Sequence, residues 1–177
     1  MKVVLIGTDH RLQQSIFKDN ITNTWLPRDG TRYRKLVAYC IEKLNVKLIL
    51  EETHPNQEKT APTIASAKAK ENGLVWKTLG LGEINLFDAL LDPPLLEALN
   101  AHVKPEMLAG IYAMETHKIR EEFMYTTIRD SLREHDCVLA IVGYVHLGVL
   151  ARMFEADQVP VEAFLFTYPL VVDESRS

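Results

Sequence analysis

The stretch Met1-Lys2-Val3-Val4-Leu5-Ile6-Gly7-Thr8-Asp9-His10 decides the reading of the fold. Residues 2–6 form an apolar run rich in β-branched side chains and closed by a glycine, which predicts a strand buried on both faces. The pattern returns twice. Val46 to Leu50 closes on Glu51-Glu52-Thr53-His54, and Cys137 to Val142 closes on Gly143-Tyr144-Val145-His146. Continuous apolar strands of this kind are covered by helices on both sides, so they point to a parallel sheet rather than to hairpins.

The segments between these runs supply the helices. Thr31 to Asn45 carries Leu36, Tyr39, Cys40 and Leu44 at helical spacing, with Arg34, Lys35, Glu42 and Lys43 on the outer side. Residues 58–72 are Ala- and Lys-rich, with Pro62 near the start and Gly73 just past the end. Leu74-Val75-Trp76 is a short strand. Asp92-Pro93-Pro94 separates two short helical pieces. A long helical region runs from Pro105 to Glu134, with Leu108, Ile111, Tyr112, Ile119, Phe123 and Ile128 as its apolar face. Leu147 to Ala156 is helical and Val161 to Phe166 is the last strand. Residues 11–30 carry no clean period and read as an irregular loop ending in a turn. The expected fold is a single α/β domain over residues 1–177, with a mostly parallel sheet of about four to five strands, helices on both faces and a polar tail at 174–177.

Composition narrows the function. The chain has 177 residues, 47% hydrophobic and 25% charged, within the range of one ordinary globular domain. The net charge of −4 is the wrong sign for a protein that grips nucleic acid by counterion release, so no nucleic-acid partner is expected. The two cysteines, Cys40 and Cys137, sit in apolar patterns and read as buried thiols, not as a disulfide framework or a zinc pair. The opening reads as a strand rather than a secretory signal, and no apolar run is long enough to span a bilayer. The expected setting is reducing and cytoplasmic, with no membrane partner.

The chemistry gathers at three strand ends. In a parallel sheet these ends share one edge, with neighbouring strands about 4.8 Å apart, and open α/β sheets bind ligands there. Gly7-x-x-His10 and Gly143-x-x-His146 share a spacing: glycine permits a turn or a close approach, and an imidazole then lies just past the strand tip. Imidazole ligates metals and exchanges protons near neutral pH. Glu51 or Glu52 is suited to act as a hard oxygen ligand or a general base, and strand alternation turns only one of them toward a given face. His54 is a further ligand candidate, and His117 lies three residues before Arg120, on the same helical face. His102, His135, Lys68, Lys70 and Glu71 read as surface, and Asp130 is placed either to pair with Arg133 or to orient a catalytic group.

The apolar strand entering Gly7-x-x-His10, the acidic strand end, the helix segment Arg120-Glu121-Glu122-Phe123-Met124 and the late Gly143-Tyr144-Val145-His146-Leu147 together resemble the superfamily that holds erythromycin esterases, ChaN-type haem-uptake lipoproteins and TraB/Tiki proteins. The late motif looks most like the TraB/Tiki branch, and Thr8 stands where the esterase-like form has glutamate. The resemblance implies a metal-assisted hydrolase acting on an amide or peptide bond of a small-molecule or peptide substrate. By position it assigns a divalent ion (Mn, Co or Zn) to His10, His146 and Glu51 or Glu52, with the remaining glutamate as base and Arg120 on the developing negative charge. His10 as base of a metal-independent esterase-like hydrolase is one alternative. A non-enzymatic protein that binds haem or another small ligand is the other.

Overall fold

The computed structural model describes residues 1–13, 16–18, 25–27, 30–53, 62–79 and 105–166, the side chains of 10, 11, 16–18, 25–27 and 105–116 excepted. In chain order the elements are β1 (Lys2–Thr8), the one-turn helix α1 (His10–Gln13), β2 (Ile16–Lys18), β3 (Trp25–Pro27) and α2 (Thr31–Lys43). They continue with β4 (Leu48–Glu51), α3 (Ile64–Glu71), β5 (Val75–Thr78), α4 (Pro105–Ser131), β6 (Cys137–Gly143), α5 (Tyr144–Ala156) and β7 (Val161–Phe166).

Five strands form one sheet in the order β5-β4-β6-β1-β7, and every pairing is parallel. The three strands read as continuous apolar runs occupy its centre. β4 and β6 are buried throughout and β1 from Val3 to Thr8, whereas the outer strands β5 and β7 leave Val75 and Leu165 exposed. Burial of each central Leu, Ile or Val contributes about 1.5–3 kcal/mol, so the middle of the sheet carries most of the core.

Alternation along the strands divides that core in two. Val4, Ile6, Ile49, Leu139 and Ile141 pack against Tyr33, Val37, Cys40 and Ile41 of α2 and Ile64, Ala65 and Ala69 of α3. Val3, Leu5, Leu48, Leu50, Val138, Ala140 and Val142 pack against Met124 and Ile128 of α4, Leu132 just beyond it, and Leu150 and Phe154 of α5. Helices thus cover both faces, and both cysteines are buried thiols.

Local boundaries differ from the sequence reading in informative ways. Residues expected to form an irregular loop include β2 and β3, a short antiparallel pair with Phe17 opposite Leu26. In α2 the buried stripe is Tyr33, Val37, Cys40 and Ile41, while Tyr39 is exposed and meets Phe164 edge-on. The α2 face is rotated because Tyr33 enters the core beside Phe166. In α4, Met124 is buried and Phe123 exposed, one step round from the expected face. The side chains of Leu108, Ile111 and Tyr112, the segment Asp92-Pro93-Pro94 and the tail at 174–177 lie outside the described residues. α5 begins at Tyr144, so His146 belongs to its first turn. Gly73, just past α3, has φ +65°, the left-handed conformation that glycine tolerates best. Among the described residues no helix is long and apolar enough to cross a membrane.

Candidate functional site

The sheet topology places a crevice where the sequence motifs end. β1 and β6 are neighbours, with Thr8 opposite Gly143. The chain leaves β1 toward α2 on one face, and leaves β6 into α5 on the other. Adjacent strands whose connections depart to opposite faces open a crevice at their carboxyl ends, the usual ligand position in open α/β sheets. His10 begins α1 two residues after β1, and His146 follows Gly143 by three residues. Both therefore lie at the same sheet edge on neighbouring strands. The His10 side chain is outside the described residues.

Gly7 sets the depth of this corner. A Cβ on residue 7 would lie 2.8 Å from Leu147 Cβ and 2.9 Å from Leu147 Cδ2. Only a bare Cα lets the first turn of α5 settle onto β1, and that turn carries His146 into the interior. His146 is 2% exposed, more deeply placed than a residue at a strand tip was expected to be.

Around His146 the structure assembles a polar group drawn from three elements. Its Nδ1 lies 3.0 Å from Glu121 Oε1 on α4. An ionised carboxylate only accepts, so Nδ1 is the donor in this contact; in the neutral ring the lone pair is then on Nε2. Nε2 faces Glu52 Oε1 at 3.9 Å, beyond hydrogen-bond distance. The other Glu52 oxygen, Oε2, accepts from the backbone N–H of Gly143 at 2.7 Å, a buried charge-assisted bond that ties the end of β4 to the end of β6. Arg120 Nη1 stands 3.9 Å from Glu52 Oε1, with the arginine side chain 43% exposed and so able to reach a ligand as well. His117 packs edge-on against the His146 ring, with centroids 5.1 Å apart and planes at 70°. His117, Arg120 and Glu121 are spaced three and four residues apart, which puts them on one face of α4.

Glu51 faces the other way. Its Oε2 accepts from Thr63 Oγ1 at 2.5 Å and from Trp76 Nε1 at 2.8 Å. Thr63 also caps α3 by accepting from Ser66 N at 3.0 Å, so one hydroxyl joins a strand end to a helix start. Glu51 Oε1 and the Tyr33 hydroxyl are buried without a hydrogen-bond partner among the described residues. Burial raises the Glu51 carboxyl to about 7 despite the two bonds, which favour its charged form. Burial, and secondarily the Glu51 charge, pushes the Tyr33 phenol well above its ordinary value.

Of the residues singled out from sequence, the structure brings Glu52, Arg120, His117 and His146 together and turns Glu51 to the opposite face of the sheet. Both glutamates are buried. His54 and His102 lie outside the described residues. Lys70 and Glu71 are exposed, Lys68 and His135 are half-buried, and Asp130 pairs with Arg133 at 3.5 Å. Sequence reasoning did not single out Glu121, Thr63, Trp76 or Tyr33. The position of Glu121 beside Arg120, four residues from His117, was the one signal that could have marked the first of these.

A divalent ion held by His10, His146 and a glutamate requires three convergent donors. His146 Nε2 and Glu52 Oε1 face one another, and Glu51 is on the far side of the sheet. Among the described residues no group of three or more His, Cys, Asp or Glu side chains is placed to hold a metal ion, so the described donors do not form a complete ligand set. The chain matches no family model, no curated protein and no solved structure.

Proposed function

We propose that the protein is a hydrolase in which His146 is the general base, oriented by Glu121, and Arg120 stabilises the negative charge that develops on the attacked group. The carrying observation is the line Glu121–His146–Glu52: a buried imidazole with Nδ1 held by one carboxylate and Nε2 facing a second. A water placed off-axis, about 2.8 Å from both Nε2 and Glu52 Oε1, makes an angle of about 90° between them, a feasible geometry for one molecule contacting both. His146 then removes a proton from this water as its oxygen attacks, and the half-exposed Arg120 meets the oxyanion. Glu52 contributes as the anchor that closes the crevice floor through Gly143.

The test is hydrolysis of p-nitrophenyl butyrate and of a peptide p-nitroanilide by the chain stripped with a chelator. Turnover is expected, with His146→Gln lowering kcat/KM by about 10²–10⁴ at unchanged circular dichroism. Absence of turnover on both compounds, or full activity in His146→Gln, overturns the reading.

Metal assistance is the second reading, favoured by the facing pair His146 Nε2 and Glu52 Oε1 together with the resemblance to TraB/Tiki proteins. It requires the His10 imidazole as a further donor. It predicts that Mn, Co or Zn co-purifies with the chain and that His10→Ala and His146→Ala each lose it. A visible absorption band from bound haem in place of turnover supports the non-enzymatic alternative.

A further inference from the structure

We propose, resting on the hydrolase reading above, that His117 is a second catalytic residue: the general acid that protonates the leaving group. Three observations carry it. His117 shares one face of α4 with Arg120 and Glu121, and all three side chains reach the same corner of the sheet. Its ring lies against that of His146, with centroids 5.1 Å apart. It is exposed, whereas the ring it covers is buried. The base acts on the attacking oxygen and the acid on the leaving atom, which are two bonds apart across the acyl carbon; with a hydrogen bond at each end their nitrogens can be separated by about 8 Å at most, and two imidazoles at this centroid distance meet the limit. The Nδ1 of His146 is held by Glu121, so the buried ring has a single nitrogen for the water and gains from a partner on the departing side. An exposed imidazole recovers its proton from solvent directly.

The step balances. Water gives a proton to His146 Nε2 and its oxygen bonds to the acyl carbon. The bond from that carbon to the leaving atom breaks, its electron pair stays with the leaving atom, and that atom takes the proton of the His117 imidazolium. The products are the acid and the protonated leaving group. His146 returns its proton to solvent and His117 regains one.

Leaving-group dependence separates this role from simple shielding of His146. The parent, His117→Phe, His117→Ala and His146→Gln are compared on p-nitrophenyl butyrate, whose leaving group needs no proton, and on ethyl butyrate, whose leaving group does. Both His117 variants are expected to stay within about threefold of the parent on the aryl ester and to fall about 100-fold or more on the alkyl ester. His117→Phe keeps an aromatic ring against His146, so a packing role leaves it active on both esters and overturns the proposal. Equal losses on the two esters also overturn it while leaving His146 as base intact. Activity in His146→Gln equal to the parent, or no hydrolysis by the parent, removes the hydrolase reading itself and this inference with it.

Discussion

Glu51 and Glu52 are consecutive in the chain and live in opposite environments. Glu52 looks toward α4 and α5, where Gly143, Arg120 and His146 surround its carboxylate. Glu51 looks toward α2 and α3, where Thr63 and Trp76 bond one oxygen and apolar packing strips water from the other. Both are buried, and burial pushes the Glu51 carboxyl up to about 7. The difference teaches that burial alone does not make a working carboxylate. A backbone N–H and a guanidinium are partners that favour a charged carboxylate, whereas neutral donors in a dry cell make a carboxyl a structural joint that binds its proton more tightly.

The largest expected effect breaks the comparison on the Glu52 side. Glu52→Ala leaves the buried Gly143 N–H without its acceptor, at a cost of about 1–3 kcal/mol, and removes the carboxylate facing His146. Activity in the proposed hydrolase is expected to fall by at least about 100-fold. Glu51→Gln, which preserves acceptance from Thr63 and Trp76, is expected to retain turnover within a few-fold. Steady-state kinetics on the two variants decides the matter, and equal losses erase the distinction.

Next comes the pH response of the Glu51 side. A carboxyl raised from 4.5 to about 7 binds its proton more tightly in the folded state than in the unfolded one. Its contribution is therefore fully present below about pH 4.5 and is lost as pH climbs to about 7, by on the order of 3 kcal/mol. Urea denaturation of the parent and Glu51→Gln at intervals from pH 4.5 to 8 is expected to show a growing advantage for the variant. Parallel curves mean that the carboxyl is already ionised in the folded protein.

Gly7→Ala tests the corner shared by both faces. Its new Cβ would meet Leu147 at 2.8 Å, and overpacking of this kind costs about 1–3 kcal/mol. The substitution is expected to lower the denaturation midpoint and, by lifting the turn that carries His146, to lower activity more than the stability loss explains. Unchanged activity means that α5 shifts without disturbing the imidazole.

Trp76→Phe should do least. It removes the Nε1 donor to Glu51 while keeping an aromatic ring, at about 1 kcal/mol. One of the two bonds that favour the charged form is then gone, so the pH window for Glu51 is expected to move upward, as the same denaturation series would register. A downward shift contradicts the assignment of that bond.

Much of the architecture is legible in the order of residues. Unbroken apolar runs ending in glycine or glutamate mark central parallel strands because only a strand covered on both faces can do without polar positions. That logic puts Gly7-x-x-His10, Glu51-Glu52 and Gly143-x-x-His146 on a common edge, and the sheet order bears it out. The hairpin of β2 and β3 is not legible in the same way, because strands of three residues carry too little pattern to stand out from a loop.

Within the site, period two requires that Glu51 and Glu52 diverge, but it does not say which face holds the histidine. That depends on α4 and α5 covering the face of Leu48 and Leu50, which is a matter of packing between segments far apart in the chain. The recruitment of Glu121 and His117 is likewise decided by the rotation of α4. Its seating on Met124, Ile128 and Leu132 leaves Phe123 outside and turns His117, Arg120 and Glu121 together onto His146 and Glu52. The residue types at the sheet edge are a property of the sequence; their convergence comes from helix rotation and strand order, which long-range burial alone selects.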